Sequence, residues 1–188
     1  NMILGEFAAG EKEDFLELNI ANNSQASSIL ELGTHKISYP SITYTSKIKV
    51  PVKPVDNWLD SLKINKREFN FLNLDIQGYE LRALKGLKKQ LKFIDYIYTE
   101  VSICELYIGV NQLNEIDSFL SNYGFKRVMT KLTNHGWGDV FYTKRNVTIM
   151  KIYFRIVSFL MIGNTELFKK VRYKVGILRR KIKNSIFV

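Results

Sequence analysis

The chain has 188 residues, 46% of them apolar, which is enough for one domain with a sizeable core. Its single cysteine excludes an internal disulfide framework and is typical of a reducing compartment. The formal net charge is +10, but residues 146–188 hold +9 of it, which leaves residues 1–145 nearly neutral and disfavours nucleic acid as the partner of a site there.

The first predicted elements are two short strands. The apolar stretch Met2–Ala9 and the alternating stretch Phe15–Ile20 are separated by the polar turn Gly10–Asp14. The opening residues lack the basic region and apolar run of a secretory signal, so we expect a cytoplasmic protein.

A polar stretch, residues 21–46, comes next and is rich in Asn, Ser and Thr. It is predicted to be a long loop over the edge of a sheet, and connections of that length are usually functional or mobile. Ser27 and Ser28 are residue types that often form turns. His35 is either a surface residue or a base, because an imidazole titrates near neutral pH and can remove a proton.

A strand and a short helix follow this loop. The alternating stretch Lys47–Val52 predicts the strand, and Asn57–Leu62 predicts the helix. Asp56 stands directly before the helix, where a carboxylate caps the free N–H groups of the first turn. We therefore interpret Asp56 as a structural residue.

The centre of the chain has the pattern of a strand, a helix and a strand. Two apolar runs rich in β-favouring residues, Phe69–Ile76 and Phe93–Val101, predict buried strands. Between them, leucines recur every three or four residues from Leu81 to Leu91, which predicts an amphipathic helix. A connection of this length makes the two strands parallel neighbours.

Acidic residues stand at the ends of both central strands. Asp75 closes the first and Glu100 the second, so both fall at the edge where open parallel sheets bind their ligands. Each carboxylate could contact a cofactor, orient or deprotonate a substrate, or cap the next helix. Glu80, in the first turn of the central helix, is predicted to cap it.

A helix and two strands complete the body of the chain. The helix is predicted over Leu113–Tyr123, and the strands over Phe125–Leu132 and Asp139–Thr143. The short link between the strands predicts an antiparallel pair. His135 and Trp137 lie in that link, and they either overhang the acidic edge of the sheet or only form a hairpin turn that depends on the flanking glycines.

The last part of the chain, residues 146–188, differs from the body. Apolar and basic residues recur there at helical spacing, so we predict a separate basic, amphipathic, helical tail. Lys151 and Arg155 make the first segment a poor transmembrane span. A helix lying on an anionic membrane surface fits better, while RNA, a partner protein and packing against the body are the alternatives.

One stretch resembles the signature of a known family. The sequence Leu-Asp-Ile-Gln-Gly-Tyr-Glu at 74–80, followed by Leu-Lys-Gly at 84–86, is similar to the signature of the FkbM-type S-adenosylmethionine-dependent methyltransferases. The resemblance spans about residues 3–144. Further blocks that resemble the family, in the right order, are Ser27-Ser28, Val50-Pro51-Val52, Glu105-Leu106-Tyr107 and Gly136-Trp137-Gly138-Asp139.

The resemblance implies an α/β fold, a Rossmann-like methyltransferase sheet with an antiparallel last strand. It also implies S-adenosylmethionine as cofactor and a hydroxyl of a sugar, glycan or other secondary metabolite as methyl acceptor. The residues then predicted at the site are Asp75, Glu100 and His135 for catalysis, Ser27, Ser28, Asp75 and Gln77 for the cofactor, and His35 and Trp137 for the acceptor.

By the same resemblance, Met2–Ala9 corresponds to the third strand of the fold, so we expect the sheet to lack its first strands and the glycine loop for the cofactor. This leaves one alternative open, an inactive methyltransferase remnant that acts as a membrane- or RNA-associated binding module. A nicotinamide enzyme is disfavoured because the chain has no glycine fingerprint. Two histidines and one cysteine without an HxxH or CxxC spacing predict no structural zinc, and magnesium stays open.

Overall fold

The computed structural model describes residues 3–62, 64, 66–145 and 184–187. The strands are β1 (Ala8–Ala9), β2 (Asp14–Ala21), β3 (Tyr44–Lys53), β4 (Phe69–Leu74), β5 (Tyr96–Ser102), β6 (Lys126–Leu132), β7 (Trp137–Thr143) and β8 (Asn184–Phe187). The α-helices are α1 (His35–Ser38), α2 (Val55–Ser61), α3 (Glu80–Lys85) and α4 (Leu113–Ser121).

The described residues form two sheets, which makes this a mixed α/β protein. The larger sheet has the strand order β6-β7-β5-β4-β8. Strands β4 and β5 are parallel, as their apolar runs and the helical connection predicted, and β7 runs antiparallel to both β5 and β6. The predicted antiparallel pair near the end of the body is therefore confirmed, and β6 points the same way as the central strands.

The smaller sheet has the order β1-β3-β2, with β1 parallel and β2 antiparallel to β3. The prediction of a strand over the whole of Met2–Ala9 was wrong in extent. Only Ala8 and Ala9 pair with β3, opposite Val52 and Lys53, and residues 3–7 make no ladder. The strand joins β3 and not the sheet that contains β4 and β5.

The core lies between the central strands and the helices that cover them. The leucines predicted on the buried face of the central helix are all within it, and so are Leu113, Ile116 and Leu120 of α4, while Phe119 packs against it. Its fully buried side chains include Leu72, Leu74, Leu84, Leu87, Leu91, Ile97, Ile116 and Leu120. This packing fixes the carboxyl ends of β4 and β5 relative to each other.

The leucine repeat predicted a helix that continues to Leu91, but helix α3 ends at Lys85. Gly86 lies so close to the backbone oxygen of Gly10 that a Cβ atom would meet that oxygen at 2.0 Å. Beyond Gly86 the chain turns and forms a 3₁₀ helix over Gln90–Lys92. A leucine repeat does not record such a close approach between distant backbones, so the sequence predicted one continuous helix.

Asp56 is structural, as predicted, but it does not cap its own helix. Helix α2 begins at Val55 with Pro54 before it, so Asp56 lies in the first turn. The Asp56 carboxylate accepts the backbone N–H groups of Lys89 at 2.7 Å and Gln90 at 2.9 Å. It therefore stabilises the turn after α3, which is far from it in sequence.

We expect Asp56→Ala to lower the free energy of unfolding by about 1–3 kcal/mol, because two N–H groups, one of them buried, lose their acceptor. Urea unfolding measures this effect. The matched control is Asp60→Ala on the same helix, whose carboxylate forms an exposed ion pair with Lys89 and should contribute less than about 1 kcal/mol. Equal losses in the two variants would contradict the structural role assigned to Asp56.

The predicted helical tail lies mostly outside the described residues, which do not include 146–183. Where the structure describes the tail, at Asn184–Phe187, it forms strand β8 parallel to β4, so the prediction of helix was wrong for these residues. These residues pair with the backbone N–H and C=O groups at the edge of β4. The spacing of apolar and basic residues in the sequence gives no sign of that pairing. Within the described part of the chain, no helix has the length and apolar character needed to cross a bilayer.

Candidate functional site

A cavity of about 870 Å³ opens at the carboxyl ends of β4 and β5. Its floor is the stretch that follows β4, residues 75–80, together with the end of β5. The predicted long loop, which holds the short helix α1, forms one wall. The predicted site residues that line the cavity are Ser27, Ser28, His35, Asp75, Gln77, Glu100 and Trp137.

Gln77 connects the two acids at the strand ends. Its side-chain nitrogen Nε2 donates to Asp75 Oδ1 at 2.8 Å and to Glu100 Oε2 at 3.0 Å. Its Oε1 accepts the hydroxyl of Tyr107 at 2.8 Å, which fixes the orientation of the amide. One neutral side chain therefore holds two carboxylates together at the cavity floor.

The backbone at this position is unusual for a side-chain-bearing residue. Gln77 has φ +54° and Gly78 has φ +97°, so two successive residues lie in the left-handed region. A Cβ on Gly78 would lie 3.2 Å from side-chain atoms of Leu30, Tyr107 and Val110, which would have to shift by a few tenths of an ångström, and the positive φ favours glycine in any case. The tight turn brings the Gln77 amide back over the end of its own strand.

Burial and negative neighbours raise the pKa of Glu100 to about 8. Desolvation is the largest cause, followed by the charges of Asp75, Glu80 and Asp139. Asp139 faces Glu100 directly across the β5–β7 ladder. The main electrostatic influences on this carboxyl are therefore all negative, which makes the site ready for a positively charged group.

Glu80 supports the floor from below. The fully buried carboxylate accepts the backbone N–H groups of Ile76 at 3.1 Å and Gly78 at 3.0 Å. Desolvation raises its pKa to about 7 in spite of these hydrogen bonds. Glu80 lies in the first turn of α3, as predicted, but these hydrogen bonds do not cap the helix, because Ile76 and Gly78 precede it. The carboxylate instead holds the tight turn around Gln77.

The serine pair lines the cavity but its hydroxyls are engaged with backbone. Ser28 Oγ donates to the carbonyl oxygen of Gln77 at 2.7 Å and accepts the N–H of Leu30 at 3.0 Å. Ser27 Oγ accepts the N–H of Ala21 at 3.1 Å. Ser28 therefore ties the loop to the tight turn, while Ser27 shapes the loop itself.

Four aromatic side chains form the upper side of the cavity, and we call them the aromatic wall: His35, Tyr39, Tyr107 and Trp137. The ring centroid of His35 lies 5.0 Å from that of Tyr39 and 5.4 Å from that of Tyr107. The indole N–H of Trp137 donates to the Tyr39 hydroxyl at 3.0 Å. Rings from three separate segments are thus held in one surface above the carboxylates.

Of the two residues predicted in the hairpin link, only Trp137 lines the cavity. His135 is exposed and is not among the residues that line the cavity, although its ring lies 5.1 Å from that of Tyr39. The structure therefore does not bring His135 together with Asp75 and Glu100. Gly136, the glycine between His135 and Trp137, has φ +80° and packs closely on Cys104. The link turns at this glycine, between the exposed His135 and the cavity-lining Trp137.

A comparison with known families identifies the chain. The model of the methyltransferase FkbM domain matches residues 1–127, which is more than half of the sequence. The chain belongs to the FkbM methyltransferase domain family. No curated protein and no solved structure matches it.

The matched region of the FkbM domain contains the floor of the cavity and most of its wall, including Asp75, Gln77, Glu100 and His35. Trp137 lies beyond the match, at the start of β7. The family assignment indicates methyltransferase activity and agrees with the resemblance recognised in the sequence.

Tyr39 and Tyr107 line the cavity of this FkbM domain, but they were not among the site residues predicted from the sequence. Tyr107 stands in one of the blocks that resemble the family, so the block could have pointed to it. Tyr39 has no such signal, because its contacts to Trp137 and His135 cross almost a hundred positions of sequence. In the part of the chain that the structure describes, no group of three or more His, Cys, Asp or Glu is arranged to hold a metal ion.

Proposed function

We propose that this FkbM domain is an S-adenosylmethionine-dependent O-methyltransferase that acts on a hydroxyl of a sugar, glycan or other secondary metabolite. The observation that carries the proposal is the pair of carboxylates, Asp75 and Glu100, joined by the Gln77 amide on the floor of a large cavity. The cavity volume of about 870 Å³ lies in the range of small-molecule sites.

The residues present fit the charge of this cofactor. S-adenosylmethionine carries a sulfonium cation. Burial and then the neighbouring acids Asp75, Glu80 and Asp139 raise the pKa of Glu100, and a cation would offset the charge of those acids. Asp75 and Glu100 would hold the sulfonium side, while Gln77 keeps both carboxylates in place. The aromatic wall would add attraction between the cation and its ring faces.

The sheet also supports the proposal. Strand β7 is reversed and lies between β5 and β6, so the central strands and β6 direct their carboxyl ends to the same side. This reversal supports the Rossmann-like methyltransferase sheet that the family resemblance implies. Ligands of open α/β sheets bind at that side, where the cavity lies.

The chemistry requires positioning and a proton acceptor from the protein. When bound, S-adenosylmethionine supplies an electrophilic methyl group. Asp75 and Glu100 would hold the positive charge of the cofactor, and the aromatic wall would orient the acceptor beside it. The acceptor hydroxyl then needs only a local base, because methyl transfer requires no covalent bond to the enzyme.

Calorimetric titration of the chain with S-adenosylmethionine and with S-adenosylhomocysteine tests this function. We expect S-adenosylmethionine to bind more tightly, because only it carries the charge that the carboxylates attract. If neither compound binds, the proposed activity is wrong and the chain is better described as a remnant that serves as a binding module. Equal affinities would contradict the role given to Asp75 and Glu100.

A further inference from the structure

The two faces of the larger sheet differ in how they are covered. One face packs against α3 and α4 in the hydrophobic core, where Leu72, Ile97 and Val140 are fully buried. Successive side chains of a strand point to opposite faces, so the residues that alternate with these point away from the core. We call this second side the outer face, and its apolar residues are Phe71, Tyr96, Tyr98, Met129 and Phe141.

The outer face is a continuous apolar surface that is only half-buried. Its residues come from the four neighbouring strands β6, β7, β5 and β4, and the rings of Tyr96 and Phe141 stack with centroids 6.1 Å apart. All five are half-buried, and the two hydrophobic clusters formed by the described residues include none of them. Sheets with parallel central strands are normally covered on both faces, so this surface requires a covering segment.

Both ends of the segment 146–183 lie at one edge of this sheet. Strand β7 ends at Thr143, opposite the first residue of β5. Strand β8 begins at Asn184, opposite Phe69, the first residue of β4. The segment, which lies outside the described residues, therefore leaves the sheet at the amino ends of the central strands and returns to it there, with β5 and β4 between its two ends.

The segment is much longer than this connection requires. Its ends are separated by three strand spacings of about 4.8 Å, a distance that a few extended residues can span. Residues 147–162 are apolar apart from Thr148, Lys151, Arg155 and Ser158. At helical spacing these four polar residues fall on one stripe, so the sequence predicts a segment that buries most of its remaining surface.

We propose that residues 147–162 pack on the outer face of the larger sheet. The face and the segment are both apolar, and the chain enters and leaves the segment at the edge of that same face. The opposite face is filled by the core, so the outer face is the side of the sheet that can accept the segment. Burial of the aromatic rings drives the packing, and the polar stripe then faces solvent. This packing does not depend on the proposed methyl transfer.

Photocrosslinking within the full chain tests this packing. Tyr98 is replaced by p-benzoylphenylalanine, and mass spectrometry identifies the crosslinked peptides. The control carries the same group at Phe15, which is 62% exposed on the smaller sheet. We expect crosslinks from position 98 to peptides of 147–162 at the mass of one chain, and none to those peptides from position 15.

A matched pair of variants in the segment adds a second readout. The crosslink yield should fall about tenfold or more in Ile156→Asp, because a carboxylate is costly in an apolar contact, and stay within about twofold in Ser158→Asp on the polar stripe. Equal yields in the two variants would overturn the proposal. So would the absence of crosslinks to 147–162, crosslinks found only between two chains, or their loss when vesicles of phosphatidylserine and phosphatidylcholine are added, since the membrane would then be the partner of the segment.

Discussion

Replacing Asp75 by Asn should weaken the binding of S-adenosylmethionine by about 10- to 100-fold, the loss expected for one charge-assisted contact to a cation. The asparagine side chain has the same shape and keeps an oxygen that can accept from Gln77, so the fold of the tight turn should survive. The change therefore removes charge more than structure. Calorimetric titration of the purified variant gives the affinity directly.

Two comparisons make the Asp75 result specific. The affinity for S-adenosylhomocysteine, which lacks the sulfonium charge, should fall by less than about threefold in Asp75→Asn. Glu17→Gln, on an exposed acid of β2, should leave both affinities unchanged. An equal loss for the two compounds would mean that Asp75 acts through the shape of the cavity and not through its charge.

Replacing Glu100 by Gln should stabilise the protein at pH 8 while it weakens the binding of S-adenosylmethionine. The pKa of this carboxyl is raised from 4.5 to about 8 by burial and by its acidic neighbours. Glutamine has a similar shape and still offers an oxygen to Gln77. It carries no charge, so it relieves the repulsion that the site otherwise bears.

The dependence on pH follows from the direction of this shift. Below pH 4.5 the carboxyl is protonated in the folded and the unfolded chain, so Glu100 makes no difference to stability there. Between pH 4.5 and about 8 the unfolded chain loses this proton first, so the folded state becomes progressively less favourable as the pH rises. The gain from Glu100→Gln should therefore grow across that window and reach about 2–4 kcal/mol at pH 8.

Urea unfolding at pH 5 and pH 8 measures this difference. The wild type should lose stability relative to Glu100→Gln as the pH rises, and Glu17→Gln provides the control for an exposed acid. A variant that is less stable than the wild type at pH 8 would show that the ionised Glu100 is well stabilised in the folded state. The negative cluster would then not be a site prepared for a cation.

The central strands were predictable because their signal is local. Apolar runs that end in Asp75 and Glu100, separated by a leucine repeat, are enough to specify two parallel strands with acids at one edge. The same reasoning predicted the antiparallel pair of β6 and β7, although it placed Trp137 in the link between them. In each case the evidence lay within a few residues of the element, where hydrophobic periodicity is informative.

The parts that sequence reasoning missed depend on contacts between distant segments. The end of α3 is set by Gly86 against Gly10, and the carboxylate of Asp56 is used by a turn more than thirty positions away. Likewise the aromatic wall needs Tyr39 beside Trp137, which no local pattern records. Such contacts follow from how the elements pack, so they became visible only in the folded structure.

The most direct test of the account is the proton released when S-adenosylmethionine binds. A cation next to Glu100 should favour its ionised form, so a carboxyl with a pKa of about 8 should give up its proton at pH 7 on binding. Calorimetric titration at pH 7 in two buffers of different ionisation enthalpy counts these protons. We predict the release of most of one proton for the wild type and little release for Glu100→Gln. Binding without proton release, or no binding at all, would contradict a sulfonium site at the carboxylates.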